Sequence, residues 1–156
     1  MMQEEPTPTW QSVSFDPRFE DHLYFMYQGN KRDTAQEIKR FKSLEHSPEF
    51  IKKSIKTIND IGQTMLKTQS LDEFCHLIDL HEDTIAAVVD HPPIKMKNFS
   101  DFDGSIKSLG AWGGDFMLVA SRLPYDTIKN YFLRKGKSVV LTYDMIFSPR
   151  KKNDLH

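Results

Sequence analysis

One cysteine, Cys75, is all that the 156 residues contain, so no intrachain disulfide can staple the fold and a reducing compartment suits the chain. An excess of either charge is missing too. Lys and Arg number 21 against 22 Asp and Glu, a formal net charge of −1 at pH 7. A chain so balanced exerts no bulk attraction on nucleic acid or on an acidic membrane. No apolar run approaches the roughly 18–20 residues that span a bilayer. The opening "MMQEEPTPTW" lacks the basic region and apolar core of a signal peptide. The expected address is the cytoplasm, with neither membrane nor nucleic acid as partner. The six histidines include no HExxH pattern, and His76 and His81 do not share a helical face, so no metal site is expected. Glycine is scarce, at 7 residues, yet Gly110, Gly113 and Gly114 all fall within "KSLGAWGGDF" (Lys107–Phe116).

What is present suits one globular domain, with 38% hydrophobic and 28% charged residues. Residues 10–148 are expected to form that domain, between a flexible Pro/Thr/Glu-rich segment (1–9) and a flexible polar tail (149–156). "HLYFMYQ" (His22–Gln28) alternates as a strand does. Thr34 with Glu37 reads as a capping box that opens a helix running to about residues 41–44. Ser47 followed by Pro48 signals a second helix, with Ile51, Ile55, Ile58, Gly62 and Met65 at helical spacing. Ser70 with Glu73 opens a third, whose apolar stripe runs Leu71, Phe74, Cys75, Ile78, Ile85 and Val88 until "HPP" (His91–Pro93) stops it. Cys75 belongs to that stripe as a core residue, and Asp72, Glu73, Asp79, Glu82 and Asp83 read as a cap and a solvated face.

After an irregular stretch, "FMLVAS" (Phe116–Ser121) reads as a buried strand, and the segment from Pro124 to Gly136 as a short helix. "KSVVLTYDMIF" (Lys137–Phe147) alternates so regularly that it predicts the longest strand, with a further strand at Trp10–Phe15. Strands divided by helix clusters suggest an α+β sandwich, a mixed or antiparallel sheet in one layer and helices in the other.

The glycine decapeptide leads into a strand rather than a helix, so it lacks the helix N-terminus on which a Walker loop depends, and "GAWGG" does not match GxxxxGK[ST]. One reading is a tight turn entering a central strand, with Trp112 as a packing residue. The other is that Gly113 and Gly114 let a second backbone or a ligand come close.

"SIKSLGAWGGDFMLVAS" resembles the third motif of the GHMP kinases, the galactose, homoserine, mevalonate and phosphomevalonate kinases, and is most similar to the GYDIA branch. In the same order, "YFMYQGNKRDTAQEI" resembles that family's strand, Gly-Lys/Arg-Ser/Thr turn and helix, and "LDEFCHLIDLHEDTIAAV" the helix before the glycine motif. The resemblance, over Trp10 to Phe147, implies the family's C-terminal domain: a ferredoxin-like two-layer sandwich, mostly antiparallel, with helices on one face. Carried over, Gly110, Gly113 and Gly114 would wall a substrate and phosphate site, with Lys107 as a nearby cation or a solvated lysine. Asp115 would contact a substrate hydroxyl or a magnesium-bound water, or cap the turn. Lys31, Arg32 and Thr34 would form an acceptor-side turn, Thr34 doubling as an N-cap.

The sequence departs from the family in carrying Trp112 and Asp115 where small residues are usual, and in lacking the phosphate loop and the catalytic aspartate. The resemblance therefore implies the acceptor-side half of a mevalonate-kinase-like enzyme, with no catalytic residue of its own and inactive alone. Its partner would be an N-terminal half or, failing that, a second copy. The intact enzyme would use ATP and Mg2+ on a small anionic metabolite, neither cofactor binding tightly to this chain alone. A non-catalytic α+β binding or interaction module is the competing expectation.

Overall fold

The computed structural model describes residues 9–29, 34–110 and 114–147. Strand β1 (Leu23–Tyr27) follows a single 3-10 turn and leads to four helices, α1 (Thr34–Lys42), α2 (Pro48–Met65), α3 (Leu71–Val89) and α4 (Ile94–Asn98). Then come β2 (Ser105–Ser108), β3 (Phe116–Ala120), α5 (Tyr125–Arg134), β4 (Val140–Thr142) and α6 (Tyr143–Phe147).

The four strands form one sheet in the order β2-β3-β1-β4, with every neighbouring pair antiparallel. Helices α1–α4 carry the chain from β1 across β3 to β2, and α5 carries it from β3 across β1 to β4. That is the strand order of the ferredoxin-like split βαβ plan, and the fold is the expected α+β sandwich on an antiparallel sheet.

Alternation along the strands sorts the core. Tyr24, Met26, Ile106, Met117, Val119 and Val140 share one face and bury against Ile128 and Phe132 of α5 and against Phe99 and Phe102 beyond α4. Leu23 and Ala120 point the other way, onto Phe19 and onto Leu71, Phe74 and Ile78 of α3. The helices thus divide between the two faces, which corrects the expectation of helices on one face: α4 and α5 cover the first, and α3, backed by α2, covers part of the second. The rest of that second face is open at the Tyr27–Phe116 ring pair, where the side chains stay 40% and 37% exposed.

Local chemistry sets the helix limits. Ser47 Oγ accepts from Phe50 N–H, and Ser70 Oγ accepts from Glu73 N–H, so two of the three expected N-caps are present, whereas Thr34 is the first residue of α1 rather than its cap. The Ser70 box is not reciprocal, because Thr68 Oγ1 donates to the Glu73 carboxylate instead. Asp90, in the left-handed region with φ 51°, ends α3 just before His91–Pro93.

Three further expectations are corrected. Trp10–Phe15 is not a strand: Trp10 is 89% exposed and the segment runs irregularly until Phe15 stacks on Phe74. The strand foreseen over Lys137–Phe147 lasts only from Val140 to Thr142. Its partner β1 runs out, since Thr142 already faces Tyr24 and the residues before Leu23 turn away. Thr142 Oγ1 then accepts from Met145 N–H, and α6 brings the Tyr143 and Phe147 rings to 4.6 Å at helical spacing. The stretch read as irregular contains α4 and β2, an edge strand too short and polar to show alternation.

Candidate functional site

The glycine decapeptide joins β2 to β3, which pair antiparallel as the two arms of a hairpin. Ser108 pairs with Met117, and Leu109 N–H donates to the Phe116 carbonyl at 3.1 Å. Gly110 takes φ 81°, a left-handed turn conformation that glycine adopts without cost. A Cβ on Gly114 would run into the Leu109 carbonyl oxygen. The backbone lying against the motif is therefore the hairpin's own opposite arm. At its base the Asp115 carbonyl accepts from Gln28 N–H at 2.6 Å, continuing the β1–β3 ladder by one bond. That bond sets the base of the hairpin beside the end of β1.

Lys107 is not a solvated lysine. Its Nζ lies 3.3 Å from Glu82 Oε1, 3.2 Å from His81 Nδ1 and 3.4 Å from the Ser108 carbonyl oxygen, which commits all three donors. Glu82, expected on a solvated face, is 7% exposed. The other carboxylates of that group do face water: Asp79 and Asp83 are exposed, and Asp72 pairs with Arg122 at 2.7 Å. Burial pushes the Glu82 carboxyl above its ordinary pKa, against the opposing pull of Lys107 and the Ser108 N–H. Burial, helped by the Lys107 charge, pushes the His81 imidazole down to about 4, so it is neutral at neutral pH. An ammonium can only donate, so Nδ1 accepts and Nε2 keeps the proton.

These three side chains form the floor of a cleft of ≈ 230 Å³. Ile85, Ala86 and Val89 of α3 make one wall; Pro92, Pro93 and Ile94 make another. Glu37 of α1, His91, Lys97 and Asn98 stand on its lining with Ser108 and Gly110. Of the residues singled out in the sequence, Lys107 and Gly110 thus meet in one site. Gly114 and Asp115 shape the hairpin without lining the cleft. Thr34 is the exposed first residue of α1, whose Glu37 does line it. Lys31, Arg32, Gly113 and Trp112 lie outside the described residues, as do residues 1–8 and 148–156.

The sequence reading puts Glu82 on a solvated face and gives His81 no role, although a signal for their burial exists. Glu82 sits four residues after Ile78 and three before Ile85, on the buried stripe of α3, where a carboxylate needs a partner. Among the described residues, no group of three or more His, Cys, Asp or Glu could hold a metal ion, and no helix is long and apolar enough to cross a membrane.

No family model and no curated protein matches the chain. A solved structure, that of a Lin0012 protein from Listeria innocua, matches with a TM-score of 0.65 at 14% identity, over 88% of this chain and 42% of that one. At that identity the likeness establishes the fold. The chain spans less than half the length of that structural relative.

Proposed function

We propose that the chain is the acceptor-side, C-terminal part of an ATP-dependent small-molecule kinase of the GHMP type. The observation that carries this reading is the Gln28–Asp115 bond of 2.6 Å. It joins Gln28 and Asp115, 87 residues apart in the chain, one from each of the two segments that resemble the family's strand–turn–helix and third motif. The open aromatic pair Tyr27–Phe116 next to the hairpin adds an apolar surface of the kind a second half would cover. The match to part of a longer protein fits the same picture. In this reading ATP and Mg2+ are held by the half that carries the phosphate loop.

The commitment of the Lys107 donors to His81, Glu82 and Ser108 favours a second reading, a non-catalytic α+β module that keeps the fold without the chemistry. Calorimetry separates the two. Titration with Mg-ATP of the chain co-expressed with the phosphate-loop half of a GHMP kinase gives binding under the kinase reading, while the chain alone gives no heat. Silence in both titrations favours the module. Tight binding by the chain alone overturns the proposal, since the nucleotide site would then lie within these residues.

A further inference from the structure

The cleft beneath the hairpin has a chemistry of its own, independent of the kinase reading. Its walls are aliphatic: Ile85, Ala86, Val89, Pro92, Pro93 and Ile94. Its floor is polar yet electrically closed. The Lys107 ammonium is matched by the Glu82 carboxylate at 3.3 Å and spends its remaining donors on His81 Nδ1 and the Ser108 carbonyl. Among the three floor side chains one donor is left over. With Nδ1 accepting from Lys107, His81 carries its proton on Nε2, and no described residue accepts from it. We infer that this cleft binds a small uncharged molecule with an aliphatic body and one hydrogen-bond acceptor, a carbonyl or ether oxygen received by His81 Nε2–H.

Charge excludes the alternatives. A carboxylate at the floor would face Glu82 and find no free N–H on Lys107; an ammonium would face Lys107 itself, and the Glu37 carboxylate on the lining already has Arg40 at 3.9 Å. Lys97, on the lining and exposed, offers an anion only a hydrated contact of little value. An aliphatic body, in contrast, displaces water from six apolar side chains, and its single acceptor satisfies the leftover donor. The anionic acceptor of the kinase reading does not fit this floor, so the cleft would serve a second ligand.

Three probes of one shape test the inference on the unmodified chain: cyclohexanone, cyclohexanecarboxylate and cyclohexylammonium. Binding is read from the methyl NMR shifts of Ile85, Val89 and Ile94. The expected result is saturable movement of these methyls with cyclohexanone, and binding about tenfold weaker or less for both ions. His81→Phe keeps the bulk of the ring and removes the donor, and should weaken cyclohexanone by about tenfold as well. Equal or tighter binding of the carboxylate overturns the inference. So does the absence of saturable shifts at the three methyls, or shifts centred elsewhere. Neither result bears on Mg-ATP binding, so failure here leaves the kinase reading to its own test.

Discussion

Lys107 of an edge strand and Glu82 of the helix beneath it meet at 3.3 Å, both largely withdrawn from water. The pair ties α3 to β2 at the point where the chain enters the glycine hairpin. Such a buried pair adds little beyond what a well-packed apolar pair would give, but removing one partner strands the other. Lys107→Met should therefore lower the unfolding free energy by about 3 kcal/mol. Adding Glu82→Leu to it should restore most of that loss. A double-mutant cycle by urea denaturation measures the coupling, and additivity of the two single effects would deny the pair its role.

The floor also makes stability depend on pH, with a sign that follows from the His81 imidazole being held down to about 4. The unfolded chain takes up that proton near pH 6.5, the folded chain only near 4, so between these values the unfolded state binds more protons. The His81 contribution is intact above pH 6.5 and is lost as pH falls toward 4, for a total of about 3 kcal/mol. Glu82 acts oppositely. Its raised pKa favours the protonated folded state, so its term gains stability as pH falls through the folded value. Denaturation at a series of pH values should thus show a smaller slope in the native chain than in Glu82→Gln. In His81→Phe the loss between pH 6.5 and 4 should be reduced by the His81 share.

Helix α5 supplies a sharper contrast between neighbours. Phe132 is fully buried, edge-on to Phe99 with ring centroids 5.3 Å apart, whereas Leu133 is more than half exposed. Phe132→Ala should cost about 3–5 kcal/mol, and Leu133→Ala well under 1 kcal/mol. Thermal unfolding of the two variants checks this, and similar melting points would mean that α5 does not pack on the sheet through Ile128 and Phe132.

What could be read from the sequence tracks how local its determinants are. Caps and breakers act within a few residues, so Ser47, Ser70 and Gly136 marked their helices, and β1 and β3, central and buried, announced themselves by their apolar content. The edges did not. β2 owes its existence to pairing with β3, and only Ile106 among its four residues is strongly apolar. β4 stops where β1 begins, a fact written about 120 residues upstream and invisible in the alternation of Val139 to Phe147. The site was half legible for the same reason. Lys107 and Gly110 stood out within one motif, but Glu82 becomes meaningful only when α3 is laid under β2, where its place on an apolar stripe acquires a lysine.

The glycine motif itself yields the last prediction, because two glycines in the chain face opposite demands. Gly62 lies inside α2 with nothing within 4 Å of an added Cβ, so Gly62→Ala trades backbone entropy for helix propensity and should stabilise the fold by about 0.5–1 kcal/mol. Gly114 is closed in by the Leu109 carbonyl, which belongs to backbone and cannot swing aside. Gly114→Ala must move one arm of the hairpin, at a cost of about 1–3 kcal/mol. Because Lys107 stands at the root of that arm, the strain should reach the cleft floor as well. Chemical denaturation of both variants, with the methyl shifts of Ile85 and Val89 recorded in each, checks the pair. The expected outcome is a stabilised Gly62→Ala with native shifts, and a destabilised Gly114→Ala whose cleft methyls move. A Gly114→Ala protein as stable as the parent would mean that the motif is glycine-rich for a reason other than the approach of its own two arms.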